Sequence, residues 1–184
     1  CTLLWNGRTL VKGKSFAADR PVGHPLQAIN VFQMREVDEI VFLDVTATKE
    51  GRRPDFKLIE SLARECFVPL TVGGGVKSVD DVRDLLRAGA DKVSIHSWRI
   101  IIPEVARQFG SQVVVESWHH PPDQLANGWG MGEFLLQSVP RDGRLTGYDL
   151  DGIRYSAQRV NAPIIASGGC GSYEHMAQAI DAGA

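Results

Sequence analysis

Glu39-Ile-Val-Phe-Leu-Asp44, Asp55-Phe-Lys-Leu-Ile-Glu-Ser-Leu-Ala-Arg-Glu65 and Pro69-Leu-Thr-Val-Gly-Gly-Gly75 decide the fold, because the pattern that they make returns later in the chain. Residues 39–90 align without a gap on residues 133–184 at a constant offset of 94, and 12 of the 52 pairs are identical. The identities include Glu39 with Glu133, Asp55 with Asp149, Pro69 with Pro163, Gly74-Gly75 with Gly168-Gly169, Ser78 with Ser172, and Ala88-Gly89-Ala90 with Ala182-Gly183-Ala184. A register kept across two whole units implies a duplicated strand-helix-strand-helix half.

Working outward, short runs dense in Val, Ile and Leu recur at Glu39–Asp44, Pro69–Val72, Lys92–Ile95, Gln112–Val115, Glu133–Leu136 and Pro163–Ala166. Runs of this kind read as strands buried on both faces. Between them lie stretches of helical period, at Pro25–Arg35, Asp55–Glu65, Ser78–Ala88, Ile102–Phe109, Asp149–Arg159 and Ser172–Ala182. Asp55, Asp149 and the Ser78-x-x-Asp81 pair supply N-cap chemistry, and Gly89 and Gly183 supply helix stops. Strict alternation implies a parallel sheet with right-handed crossovers.

Two duplicated halves close naturally into a (βα)8 barrel, or TIM barrel, so an α/β fold of one domain over residues 1–184 is expected. Such barrels take ~250 residues, which makes this one incomplete. Glu39 to Pro69 spans one unit in 30 residues, and four such units should separate the copies by roughly 120 rather than 94. The shortfall falls after Val115, where residues 116–132 lack helical period, so part of unit five is expected to be missing there. Ala184 stops before an eighth strand, and a chain opening on Cys1 is expected to have lost its true start.

Composition narrows the function. With 43% hydrophobic and 23% charged residues the chain reads as an ordinary globular protein, and its net charge of −2 leaves no basic excess to displace counterions from nucleic acid or a membrane surface. Cys1, Cys66 and Cys170 form no CxxC pair, so neither a disulfide framework nor a metal site is read. His119-His120 has no partner at ligand spacing and reads as loop. No run nears the ~20 apolar residues of a membrane span and no signal peptide precedes the first strand, so a cytoplasmic protein is expected.

Chemistry in a βα barrel sits on the loops that follow the strands. Gly73-Gly74-Gly75 and Ser167-Gly168-Gly169 are glycine turns at strand ends before helices, where backbone N–H groups and a helix dipole cradle phosphate. Two such turns at equivalent places predict two phosphate sites across the mouth. Their partners are expected in His96-Ser97 and in Arg141-Asp142-Gly143, with Asp44 and Lys12 as further candidates for substrate contact, Lys12 in a loop after the first strand. At the opposite rim Glu39, Lys92 and Glu133 each open a strand and point at the barrel axis, as an ion cluster or as a polar gate.

Gly7-Arg8 before Leu10-Val-Lys-Gly13, Phe42-Leu-Asp-Val-Thr-Ala-Thr48, Thr71-Val-Gly-Gly-Gly75, Gly89-Ala-Asp-Lys-Val-Ser-Ile95, Phe109-Gly-Ser-Gln112, Arg141-Asp-Gly143, Gly147-Tyr-Asp149 and Ile164-Ile-Ala-Ser-Gly-Gly169 together resemble the cyclase subunit of imidazole glycerol phosphate synthase. The resemblance implies a cofactor-free cyclase/lyase of histidine biosynthesis. It would bind a bis-phosphorylated ribulosyl aminoimidazole carboxamide, and its ammonia would come through the barrel from a glutaminase partner in a heterodimer. It also implies that Gly74, Gly75 and Ser97 hold one phosphate and Asp142, Gly143 and Gly169 the other. By the same resemblance Glu39, Lys92 and Glu133 gate the ammonia, a fourth gate residue lying before Cys1, and Asp91 and Gln112 face the glutaminase. The family's acid–base aspartates end strands one and five. Leu3 stands where the first is expected, and Glu116 is the candidate for the second. Leucine transfers no proton, which brings in an alternative: a cyclase-like partner that passes ammonia on for amidation of surface-polysaccharide sugars without cyclizing.

Overall fold

The structure, a computed structural model, describes residues 1–120 and 130–184. Seven parallel strands form a curled sheet: β1 (Thr2–Trp5), β4 (Ile40–Asp44), β5 (Leu70–Gly73), β6 (Lys92–Ile95), β7 (Val114–Trp118), β8 (Glu133–Gln137) and β9 (Ile164–Ser167). An antiparallel hairpin, β2 (Leu10–Lys14) and β3 (Ala17–Gly23), extends the sheet beyond β1. Among the described residues six α-helices follow or join the strands: α1 (Pro25–Met34), α2 (Phe56–Glu65), α3 (Val79–Arg87), α4 (Ile102–Phe109), α5 (Leu150–Ala157) and α6 (Tyr173–Asp181). Among the described residues β9 pairs with β8 alone and β3 with β2 alone, so the sheet is open between β9 and the hairpin edge β3.

Both faces of the sheet are buried, which is why its strands read as continuous apolar runs rather than alternating ones. Val41, Val115 and Leu135 meet inside the barrel with Leu43 and Ile165 against them. Phe42, Val72, Val93, Ile95 and Val114 pack the other way, onto Ile29, Ile59, Leu62, Val82, Leu85 and Val105 of the helices. A second outer cluster joins Phe134, Leu136 and Ile164 to Ile153 and Ala179.

The repeat is visible in the caps. Asp55 and Asp149 accept from the backbone N–H groups of Leu58 and Gly152, and Ser78 and Ser172 accept from those of Asp81 and His175. Asp81 completes a capping box with Ser78. At an offset of 94, α3 falls on α6 and β5 on β9 residue for residue.

Three sequence expectations change. Lys12 sits on strand β2, exposed, because the stretch after β1 turns back as a hairpin whose tip, Ser15-Phe16, takes positive φ of 51° and 64°. The strand expected from Gln112 begins at Val114, since Gly110 (φ 91°) leads into a 3-10 turn over Ser111–Val113. The gap in unit five expected on residues 116–132 begins later than that, since β7 runs on to Trp118 and pairs with β8, and residues 121–129 lie outside the described residues.

Candidate functional site

A cavity of about 290 Å³ opens at the C-terminal ends of the strands, at the small end of ligand sites. Its wall is built by strand alternation. β1 turns Leu4 inward, β4 gives Leu43 and Asp44, β6 gives Ser94 with His96 and Ser97 following, β7 gives Ser117 with His119 following, and β8 gives Gln137. Gly74 and Gly75 close the floor beside Asp44, with φ of 99° and 75°. A Cβ on Gly74 would stand 2.2 Å from the Asp44 carbonyl oxygen, so only glycine fits this approach.

The Asp44 carboxylate is occupied. It accepts from the backbone N–H of Thr46 (3.0 Å) and Ala47 (2.9 Å) and from Arg52 Nη1 (3.0 Å), so it braces the loop after β4. Opposite it, His96 Nδ1 donates to the Ser117 carbonyl at 2.8 Å, and the His96 ring stacks on His119 with centroids 4.0 Å apart. Phe16, from the hairpin tip, meets His119 edge-on at 4.9 Å. Burial pushes the His119 imidazole down to about 4; the nearby His96 and His120 add to this, and a hydrogen bond with the Gln137 side chain opposes it.

Of the residues singled out from sequence, Asp44, Gly74, Gly75, His96 and Ser97 converge on this cavity. Lys12 does not reach it. The second set stands apart from the cavity wall. Asp142 accepts through its carbonyl oxygen from Ser15 N–H (3.0 Å) and through Oδ2 from Phe16 N–H (3.3 Å), and a Cβ on Gly143 would lie 2.0 Å from the Gly13 carbonyl oxygen. Gly168 and Gly169 have φ of 94° and 99°, and Gly169 accepts from Gly147 N–H at 2.8 Å. The loop after β8 therefore holds the hairpin tip, and the Gly168-Gly169 turn packs against that loop at Ser138 and Gly147.

The two acid–base positions move. Leu3 pairs with Phe42 and is packed in the outer core, while Leu4, one residue on, lines the cavity; either way an apolar side chain stands there. Glu116 is 2% exposed and pairs in register with Phe134, so it faces the helix layer and not the mouth. It accepts from Trp118 Nε1 at 2.9 Å, and burial pushes its carboxyl up. Ser117 and His119, its neighbours in the alternation, face the cavity instead.

At the opposite rim Glu39, Lys92 and Glu133 do meet. Lys92 Nζ donates to Glu39 at 2.9 Å and to Glu133 at 2.6 Å, and Thr71 Oγ1 donates to Glu39 at 2.6 Å. Burial by itself would lower the Lys92 ammonium, but its hydrogen bonds to Glu133 and Glu39 outweigh that and raise it. Asp91 and Gln112 are exposed on the same rim, Asp91 accepting from Leu70 N–H at 2.8 Å.

A model of a family described as histidine biosynthesis protein matches residues 1–118 and 123–184. The chain belongs to that family. A relative from Thermobifida fusca (strain YX), named imidazole glycerol phosphate synthase subunit HisF, is 38% identical over 216 residues, with 97% of this chain and 83% of the relative covered. Relatives with the same name are 40% identical in Dictyoglomus turgidum (96% of this chain, 81% of the relative) and 38% identical in Clostridium botulinum (strain Kyoto / Type A2; 92% and 78%). The first alignment is longer than the 184 residues of this family member, so the relative carries residues that it lacks within the aligned span. The family match breaks between 118 and 123, inside the short connection from β7 to β8. No helix among the described residues is long and apolar enough to cross a membrane.

Sequence reasoning missed Ser94, Ser117, His119, Gln137 and Phe16. Gln137 carried a signal, because it is a polar residue at the repeat position of Leu43. His119 carried one too, two residues beyond inward Ser117, had the strand been extended past Val115.

Proposed function

We propose that this chain is a subunit of the imidazole glycerol phosphate synthase type, which takes ammonia from a glutaminase at the N-terminal rim and delivers it to a phosphorylated carbonyl compound at the C-terminal mouth. The observation that carries this reading is the Glu39–Lys92–Glu133 cluster, closed by hydrogen bonds of 2.9 and 2.6 Å at the strand starts. The glycine-floored cavity lies at the other end of the same strands. The apolar interior between them, Val41, Leu43, Val115 and Leu135, suits a small neutral molecule and excludes its charged form. Gly74 and Gly75, with Ser97, are the phosphate cradle of this reading, and Asp91 and Gln112 belong to the docking rim.

The test is turnover of the bis-phosphorylated ribulosyl aminoimidazole carboxamide with glutamine plus glutaminase, and separately with ammonium salt. Lys92→Met is expected to lower the glutamine-driven rate at least tenfold and to leave the ammonium-driven rate within twofold. Equal losses on both routes remove the gate from the reading.

A second reading, ammonia transfer for amidation of a polysaccharide sugar, is favoured by one observation. Leu4 and Ser117 take the inward places at the ends of β1 and β7, and among the described residues the only carboxylate on the cavity wall, Asp44, is tied to Arg52. It predicts stimulated glutaminase activity without cyclized product.

A further inference from the structure

The cavity holds four titratable side chains among its described lining residues: Asp44, Lys49, His96 and His119. Asp44 is spent on Arg52 and on two backbone N–H groups of its own loop. Lys49 is exposed at the edge. What remains is the imidazole pair. We propose that His119, stacked on His96, is the proton carrier of this cavity and serves the addition of ammonia to the carbonyl carbon of a phosphorylated ligand. The inference rests on the ligand class given under Proposed function.

Three geometric facts support it. His119 follows β7 directly and shares the inward side with Ser117, so a strand end and not a free loop sets its position. Its ring is clamped between His96, stacked at 4.0 Å, and Phe16, edge-on at 4.9 Å. The partner is oriented as well. A carbonyl oxygen only accepts, so His96 carries its proton on Nδ1 toward Ser117, which leaves Nε2 as the basic atom of the neutral ring.

The step balances. As the ammonia nitrogen bonds to the carbonyl carbon, one N–H proton passes to a His119 ring nitrogen and the carbonyl π pair moves to oxygen. The imidazolium then returns that proton to the oxygen, giving a carbinolamine and neutral His119. Burial and the neighbouring His96 and His120 keep His119 neutral in the empty cavity, its value being pushed down to about 4. A phosphorylated ligand between it and Gly74-Gly75 brings negative charge, which favours the imidazolium and lifts the value toward neutrality, where a base works best.

Two measurements on the full chain test this. In the first, histidine ring signals are titrated by NMR with and without inorganic phosphate, His119→Asn identifying the signal; an upward shift of at least one pH unit on phosphate binding is expected, and a bound phosphate that leaves His119 unmoved overturns the coupling. In the second, ribulose 5-phosphate labelled with 13C at the carbonyl is mixed with 15N-ammonium, and formation of the C–N bond is followed. His119→Asn is expected to slow it about 100-fold, a usual share for one acid–base group, with ligand affinity kept within twofold, while His119→Asp restores at least a tenth of the rate with an altered pH profile. Ligand binding without ammonia addition, or a His119→Asn rate within threefold of wild type, overturns the inference and leaves the phosphate reading standing. Failure of ribulose 5-phosphate and of phosphate to bind wild type overturns the reading itself and the inference with it.

Discussion

Replacing Lys92 by Met should destabilise the protein by about 2 kcal/mol, a figure bracketed by two limits. At the N–O separations of 2.9 and 2.6 Å each ion pair has a gross attraction of about 6 kcal/mol in a medium of effective dielectric 20. Desolvation cancels most of this. Breaking a fully buried pair costs roughly 3–5 kcal/mol because a charge is stranded, and breaking an exposed one costs about 0–1 kcal/mol. The Lys92, Glu39 and Glu133 side chains are 20%, 25% and 24% exposed, which puts the cluster between the limits. Two carboxylates would be left facing each other, and Glu133 Oε2 already has no partner among the described residues. Urea unfolding followed by circular dichroism should show a midpoint about 1 M lower, at a slope of about 2 kcal/mol per M. Adding Glu133→Gln to Lys92→Met should recover part of the loss, since it removes one of the repelling charges. Because the Lys92 value is raised on folding, its contribution is full below the ordinary lysine range and is lost as pH rises through the raised value. The gap between wild type and Lys92→Met should therefore be flat from about pH 6 to about pH 9 and close only in strong alkali. A Lys92→Met protein within about 0.5 kcal/mol of wild type, or a double variant no more stable than the single, refutes the argument.

Three further substitutions probe the same physics elsewhere. Gly74→Ala should cost at least about 2 kcal/mol and abolish phosphate binding, because positive φ and a 2.2 Å approach to the Asp44 carbonyl act together; Gly51→Ala, also at positive φ but with nothing within 4 Å, should cost about 1 kcal/mol and leave binding alone, with calorimetry reading both effects. Asp81→Ala should cost about 3 kcal/mol in urea unfolding, because Asp81 is 2% exposed and accepts from the backbone of Lys77 and Ser78 and from Arg53. Burial by itself would raise the Asp81 carboxyl, but those hydrogen bonds outweigh it and hold it low, so its stabilisation is present above the ordinary carboxylate range and fades as pH falls through the lowered value.

The elements were legible because their signals are local. Asp55, Ser78, Asp149 and Ser172 mark helix starts through hydrogen bonds that span two or three residues, and double-sided burial leaves its trace as unbroken Val, Ile and Leu runs. The β2–β3 hairpin escaped reading because its turn, Ser15-Phe16 at positive φ, carries no Asn-Gly or Asp-Gly signature. What holds that tip is the loop around Asp142, a contact with no local mark in the sequence.

Sequence by itself determined the parallel barrel architecture, the repeat at an offset of 94, the glycine floor at Gly74-Gly75 and the meeting of Glu39, Lys92 and Glu133, since each follows from periodicity or from residues that open and close strands. Only the tertiary structure decided which side chains face the mouth. A strand turns alternate residues to opposite faces, so a shift of a single position sends Leu4 inward in place of Leu3, and buries Glu116 under the helix layer while Ser117 and His119 reach the cavity.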